Sequence, residues 1–202
     1  MKNTIKNIIF DVGEVLLEYR WQEMLMDHGL TSEEAQELGE KIFQEELWAK
    51  GMDAGKLTTE QAIEKYAEKY PEDVENIAWF IRNAELMVVP RPEIWEKVRI
   101  LKKKGYGIYI LSNYSEELFE KHTKGASFLS VLDGGIVSYQ VHMIKPDEGI
   151  YRALTEKYSL NKEECIFLDD REENVKASEA FGIRAVQVTS RAMLNEFLDK
   201  MI

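Results

Sequence analysis

Short apolar runs alternate with longer amphipathic stretches over much of this chain. Residues 5–12 form an apolar, β-branched run that ends beside a glycine, which predicts a buried strand. Further strands are predicted after residue 90, at 106–111, from the turn at 133–135 through 139, at 165–168 and at 183–188. Helical patterns separate these runs, and strands alternating with such helices indicate βαβ units. The sequence therefore predicts an α/β fold with a doubly wound, Rossmann-like parallel sheet.

Residues 21–86 show a different hydrophobic pattern, in which one predicted helix follows another with breaks at glycines and a proline. Thr31 and Thr58 are each followed three residues later by Glu or Gln, which is the spacing of a capping box at a helix start. The Val-Val-Pro-Arg-Pro segment at 88–92 disfavours helix and indicates a return to the sheet. We therefore predict a core domain of residues 1–17 and 89–202 and a small all-helical cap domain of residues 18–88.

Charge and composition narrow the range of functions. The chain has 202 residues, 26 basic and 37 acidic, with a formal net charge of -11. A negative field repels nucleic acids and anionic membrane surfaces, so neither is an expected partner. No apolar run reaches the roughly 20 residues of a membrane helix, and the first residues do not resemble a signal peptide. The single cysteine, Cys165, fits a reducing compartment, so we expect a cytoplasmic protein. We expect it to be a monomer or a homodimer.

Polar residues follow the predicted strands where each strand ends or where the next helix begins. They are Asp11, Ser112 with Asn113, Lys145, and Asp169 with Asp170. In an open parallel sheet the carboxyl ends of the strands meet at one edge, where ligands bind. Carboxylates, a hydroxyl and an ammonium group at that edge suit phosphoryl transfer, which needs a nucleophile, a magnesium site of hard oxygens and donors for phosphoryl oxygens.

Four segments carry a family resemblance. They are FDVGEVLLEY from Phe10, ILSNYS from Ile110, IKPDEGIY from Ile144 and FLDDREENV from Phe167. Their order resembles the four motifs of the haloacid dehalogenase superfamily. With a helical insert after the first motif, the chain is similar to the branch that includes sugar-phosphate phosphatases and the phosphatase domain of soluble epoxide hydrolase.

This resemblance implies a magnesium-dependent phosphatase acting on a small phosphorylated metabolite, such as a hexose phosphate. Asp11 would attack phosphorus and form an aspartyl-phosphate. Mg²⁺ would be held by Asp11, the carbonyl of Gly13 and Asp170, with Asp169 directing bound waters. Ser112, the backbone of Asn113 and Lys145 would contact the phosphoryl group during the catalytic steps.

The first motif departs from the family pattern at Gly13, where most phosphatases have an aspartate that serves as general acid. The enzyme could act without this acid, or Glu14 could replace it and contact the substrate, or the chain could be an inactive binding protein. General acid catalysis contributes roughly 10²–10⁴-fold, so its loss does not abolish turnover. Without it, leaving groups that need little protonation are favoured, as in a sugar 1-phosphate or an aryl phosphate. A haloacid dehalogenase is a further alternative, but Asp169 and Asp170 argue for a metal, which those enzymes do not need.

Overall fold

The computed structural model describes residues 4–202 and all of their side chains except that of Glu45. The first three residues, which the predicted core domain includes, lie outside the described residues. Five strands form a parallel sheet in the order β5-β4-β1-β6-β7, and two more form an antiparallel ribbon, β2-β3. The strands are β1 (Asn7–Phe10), β2 (Leu17–Tyr19), β3 (Val88–Pro90), β4 (Gly107–Ser112), β5 (Gly134–Val137), β6 (Cys165–Asp169) and β7 (Arg184–Gln187).

Helices occupy most of the rest of the described chain. The α-helices are α1 (Trp21–Asp27), α2 (Ser32–Ile42), α3 (Thr59–Lys69), α4 (Val74–Arg82), α5 (Pro92–Lys103), α6 (Glu116–Thr123), α7 (Glu148–Lys157), α8 (Glu172–Phe181) and α9 (Arg191–Met201). A π-helical segment spans Glu45–Asp53, and a 3₁₀ turn at Ala84–Met87 leads into β3. Further 3₁₀ turns lie at Ser127–Val131, Ser138–Gln140 and Lys162–Glu164. None of the helices within residues 4–202 is both long and apolar enough to span a membrane.

The central strand β1 shows why the sheet is buried on both faces. Successive strand residues point to opposite faces. Ile8 and Phe10 join a hydrophobic cluster with residues of α5 and α9, whereas Ile9 joins a second cluster with residues of α7. All three side chains are fully buried. A parallel sheet with helices over both faces needs such a continuously apolar strand, so the predicted α/β fold is confirmed.

Residues 21–87 form the helical insert, and its apolar side chains are continuous with the cluster that contains α5 and α9. Both predicted capping boxes are present, at the starts of α2 and α3. The ribbon pairs Leu17 with Pro90 and Tyr19 with Val88, so the chain enters and leaves the insert at one place. This pairing supports the division into a core and a cap at residues 18–88, which we retain as a proposal.

Candidate active site

Three neighbouring strands of the sheet bring the predicted site residues to one edge. Asp11 follows β1 directly, Ser112 is the last residue of β4, and Asp169 is the last residue of β6. Because β1 lies between β4 and β6, the side chains at these three ends converge. Lys145, from the loop before α7, reaches the same place. The prediction that distant segments meet at one edge of the sheet is therefore confirmed.

The carboxylate of Asp11 is held by three donors on a single oxygen. Oδ1 accepts hydrogen bonds from the backbone N–H of Val12 at 2.7 Å and from the hydroxyl of Ser112 at 2.6 Å. The ammonium of Lys145 lies 2.9 Å from the same oxygen. Asp11 is 7% exposed, and it lines a cavity of about 630 Å³. None of these three contacts engages Oδ2, so one carboxylate oxygen is left for a ligand.

Lys145 bridges two buried carboxylates. Its ammonium lies 2.6 Å from Oδ2 of Asp169 as well as 2.9 Å from Asp11. Burial alone lowers the pKa of a lysine, but the negative charges of Asp11 and Asp169 outweigh burial and raise the pKa of Lys145. Asp169 also accepts hydrogen bonds from the amide of Asn174 and from the backbone N–H of Arg171. These contacts position Asp169 and keep Lys145 charged.

Asp11, Asp169 and Asp170 form the group of residues, among those described, that could hold a metal ion. One oxygen from each lies within 4.8 Å of the others. Burial is the main reason that the pKa of Asp11 is raised to about 7 and that of Asp170 to about 6. Neighbouring carboxylates raise both pKa values further, whereas the positive charge of Lys145 lowers them. Three crowded carboxylates with one ammonium group carry excess negative charge. This donor set of hard oxygens fits Mg²⁺.

Asn113 acts on the loop that carries Lys145. Its amide nitrogen donates to the carbonyl of Lys145 at 3.0 Å, and the backbone N–H of Lys145 donates to its amide oxygen at 2.8 Å. This reciprocal pair fixes the lysine backbone beside the end of β4. The helix that follows is capped by Ser115, whose hydroxyl accepts from the N–H of Leu118, so the Asn113 side chain is not used as a helix cap.

Tyr19 fills the space beside Gly13. A Cβ atom at residue 13 would lie 2.7 Å from the Tyr19 hydroxyl oxygen and 2.9 Å from its ring. A Cβ atom does not approach a non-bonded heavy atom this closely, so an aspartate at this position would have to displace the tyrosine. The glycine at position 13, where most phosphatases of the family have an aspartate, is therefore matched to the position of the Tyr19 ring. The sequence alone did not point to Tyr19.

The hydroxyl of Tyr19 belongs to a buried chain of hydrogen bonds. It contacts the hydroxyl of Tyr114, which lies 3.2 Å from Nδ1 of His122, and Nε2 of His122 lies 3.0 Å from the carbonyl of Ala84. Because a carbonyl only accepts, Nε2 carries a proton and the neutral ring accepts at Nδ1. Burial lowers the pKa of His122 to about 4, so the ring is neutral at pH 7. Tyr114 then donates to His122, and Tyr19 donates to Tyr114 rather than into the cavity.

Glu14 is engaged by the protein itself. One carboxylate oxygen accepts from the backbone N–H of Tyr19 at 3.0 Å, and the other lies 3.4 Å from Nη2 of Arg91. Arg91 is 4% exposed and also donates to the carbonyl of Glu14 at 2.5 Å. Glu14 borders the cavity, but these contacts fix its carboxylate as a structural partner of Arg91. They weigh against Glu14 as a replacement acid.

A cavity of about 630 Å³ opens above Asp11, between the sheet edge and the insert. Trp48 lines it, whereas Lys50, a neighbouring residue of the same segment, is not among the lining residues. Asp53, at the end of the π-helical segment, also lines it and is 7% exposed. Burial raises the pKa of Asp53 to about 8, although a hydrogen bond from the backbone N–H of Ser115 acts to lower it. Only packing of the insert on the sheet brings Asp53 here, so no sequence pattern indicated it.

The edge of this parallel sheet thus combines acidic side chains at the strand ends with a lysine from the loop before α7. The model of the haloacid dehalogenase-like hydrolase family matches residues 5–182, and the chain belongs to this family. It is therefore an enzyme of the hydrolase class, as the sequence motifs predicted.

Individual relatives differ in their chemistry. The sesquiterpene phosphatase astK of Aspergillus oryzae is 26% identical over 189 residues, which cover 94% of this chain and 92% of that protein. (S)-2-haloacid dehalogenase 1 of a Pseudomonas species is 23% identical over 91% of this chain and 84% of that protein. A haloacid dehalogenase family enzyme of Bacteroides thetaiotaomicron, solved with magnesium and inorganic phosphate, has a TM-score of 0.68 at 24% identity and covers 91% of this chain and 93% of that one. This last similarity shows the fold.

Proposed function

We propose that this hydrolase is a magnesium-dependent phosphatase that cleaves a small phosphate monoester through an aspartyl-phosphate on Asp11. The observation that carries the proposal is the cluster of three carboxylates within 4.8 Å, with Lys145 between two of them. A dianionic phosphate would be repelled by carboxylates alone, so its binding requires the lysine and a divalent cation. One relative is named a phosphatase, which supports this reading.

The proposed reaction has two steps on one side chain. Oδ2 of Asp11 forms a bond to phosphorus while the bond from phosphorus to the ester oxygen breaks. The released oxygen takes its proton from water, because Gly13 has no acidic side chain and Tyr19 donates its proton to Tyr114. Water then attacks the same phosphorus, the bond to Asp11 breaks, and inorganic phosphate leaves. Ser112 and Lys145 donate to phosphoryl oxygens in both steps.

Asp11, Asp170 and the backbone carbonyl of Gly13 are the groups that we assign to Mg²⁺. When bound to these groups, Mg²⁺ would supply the positive charge that lowers the repulsion between the Asp11 carboxylate and a phosphate dianion. Asp169 is assigned to waters around the ion, and its bonds from Lys145 and Asn174 hold it in place. Since residue 13 is a glycine and supplies no general acid, we expect a leaving group that needs little protonation, either a sugar 1-phosphate or an aryl phosphate.

The test uses p-nitrophenyl phosphate with and without Mg²⁺. We expect phosphate release that depends on Mg²⁺, disappears in Asp11→Asn and persists in Asp199→Asn, a control at an exposed carboxylate. Release that survives Asp11→Asn would refute the assigned nucleophile. Chloride release from 2-chloropropionate without Mg²⁺, and no phosphate release, would instead identify a dehalogenase, whose first motif also lacks the second aspartate. No turnover in either assay would identify a binding protein.

A further inference from the structure

The wall of the cavity that faces Asp11 is formed by the insert and is almost entirely apolar. Its main side chains are Trp21, Phe43, Trp48 and Met87. The Trp21 and Phe43 rings meet edge to face at 5.4 Å, and the Phe43 and Trp48 rings do so at 4.9 Å. The three rings are only partly buried, because one side of each faces the cavity rather than the packed insert. They form a continuous aromatic surface, which we call the aromatic wall.

Polar groups that could pair with a sugar are scarce around this wall. Among the lining residues of the insert, the polar side chains are those of Asp53 and Tyr19 besides the indole N–H groups. The Tyr19 hydroxyl is bonded to Tyr114, and Asp53 already accepts from the N–H of Ser115. Burial raises the pKa of Asp53 to about 8, so near pH 7 it is an uncharged group.

Several polar residues on the sheet side of the cavity already have partners within the protein. Asn113 is bonded to the backbone of Lys145, and Asn174 donates to Asp169. Arg171 pairs with Glu173 at 2.6 Å near the cavity mouth. A hexose would therefore bring several hydroxyl groups against rings that cannot replace the hydrogen bonds lost from water, and an unpaired buried hydroxyl is costly.

We infer that the substrate is a phosphate monoester whose organic group is predominantly apolar, because that group must lie against the aromatic wall while the phosphate faces Asp11. This inference rests on the proposed phosphatase function and selects, from the two leaving groups considered there, the aryl type over the sugar type. An apolar group that lies against the aromatic wall is bound by burial of its surface, whereas the polar lining residues cluster on the sheet side near Asp11.

Two matched ligands test the inference. Cyclohexylmethyl phosphate and glucose 6-phosphate share a six-membered ring and a primary ester oxygen, but only the second carries ring hydroxyls. Each is measured as a competitive inhibitor of p-nitrophenyl phosphate hydrolysis, so that slow turnover of either ligand does not obscure binding. We expect cyclohexylmethyl phosphate to bind at least about tenfold more tightly, since a hydrophobic pocket discriminates against one added hydroxyl by roughly 10²-fold. Equal binding, or tighter binding of glucose 6-phosphate, overturns the inference.

A pair of tryptophan variants locates the effect. Trp48→Gln should reduce the preference for cyclohexylmethyl phosphate severalfold, whereas Trp79→Gln should leave it unchanged. Trp79 is also partly buried in the insert, but it stacks on His28 and does not line the cavity. A ratio that is unchanged in Trp48→Gln refutes the role of the aromatic wall. Because the readout is a ratio of two inhibition constants, a smaller folded fraction does not alter it.

Failure of the inference differs from failure of the proposed function. If p-nitrophenyl phosphate is hydrolysed with Mg²⁺ but the two ligands bind equally, only the apolar substrate class is wrong. If there is no hydrolysis, the phosphatase proposal is wrong, and binding of the same two ligands by calorimetry with Mg²⁺ still decides whether the cavity prefers the apolar group.

Discussion

Asp53 makes the stability of this enzyme depend on pH, and replacing it by a residue that does not titrate should remove that dependence. Its carboxyl group is buried at the junction of the insert and the sheet, where burial raises its pKa from 3.8 to about 8. At a pH between 3.8 and about 8, the carboxyl group of Asp53 is ionised in the unfolded chain but still protonated in the folded protein. The free energy of unfolding therefore falls as pH rises through this interval, and the contribution of Asp53 is lost above about pH 8.

The magnitude follows from the two pKa values. Each pKa unit corresponds to about 1.36 kcal/mol, so the interval from 3.8 to about 8 corresponds to about 6 kcal/mol. Asn is uncharged and retains the oxygen that accepts from the N–H of Ser115. We expect Asp53→Asn to gain stability relative to wild type as pH rises, by about 4 kcal/mol between pH 5 and pH 9.

Urea unfolding at several pH values in the absence of Mg²⁺ measures this difference. Asp11 and the other carboxylates are present in both proteins, so the difference reports residue 53 together with its electrostatic interaction with Asp11. Asp199→Asn, at an exposed carboxylate, should follow wild type to within about 0.5 kcal/mol at every pH. The reasoning is refuted if the stability difference between Asp53→Asn and wild type stays constant from pH 5 to pH 9, or shrinks as pH rises.

Two further substitutions test the residues around Asp11. Gly13→Asp should destabilise the protein by about 1–3 kcal/mol, because its Cβ would lie 2.7 Å from the Tyr19 hydroxyl oxygen. Adding Tyr19→Ala should relieve this clash. Thermal unfolding of the single and double variants measures both effects. Ser112→Ala should lower kcat by about 10²-fold with little change in melting temperature, because it removes a donor to the phosphoryl group and to Asp11 at 2.6 Å. An unchanged kcat would remove Ser112 from the proposed mechanism.

The sequence was informative where function depends on strand ends. Asp11, Ser112 and Asp169 lie at the carboxyl ends of adjacent strands, and sheet geometry forces such positions together whatever the loops do. The capping residues Thr31 and Thr58 were predictable for a related reason, since their partners lie three residues away. In these cases the interactions are set by local spacing or by the topology of the sheet.

The sequence was uninformative where function depends on packing between distant segments. Asp53 reaches the cavity only because the π-helical segment docks against the start of α6, and Tyr19 occupies the side-chain space of residue 13 only because the ribbon turns it inward. Ribbon strands of three residues are too short to show an alternating pattern. The final helix α9 was also not predicted, although its hydroxyl cap Ser190 was a visible signal.

The ribbon that joins Leu17 to Pro90 places both ends of a long insertion side by side. Removing or exchanging that insertion would leave a gap that a short turn can bridge, with no strand of the parallel sheet disturbed. An ancestral gene could thus exchange one contiguous block and alter the organic group that is recognised, while inheriting the nucleophile, the lysine and the acidic cluster intact. Chimaeras built at these two positions would recreate that evolutionary route in the laboratory.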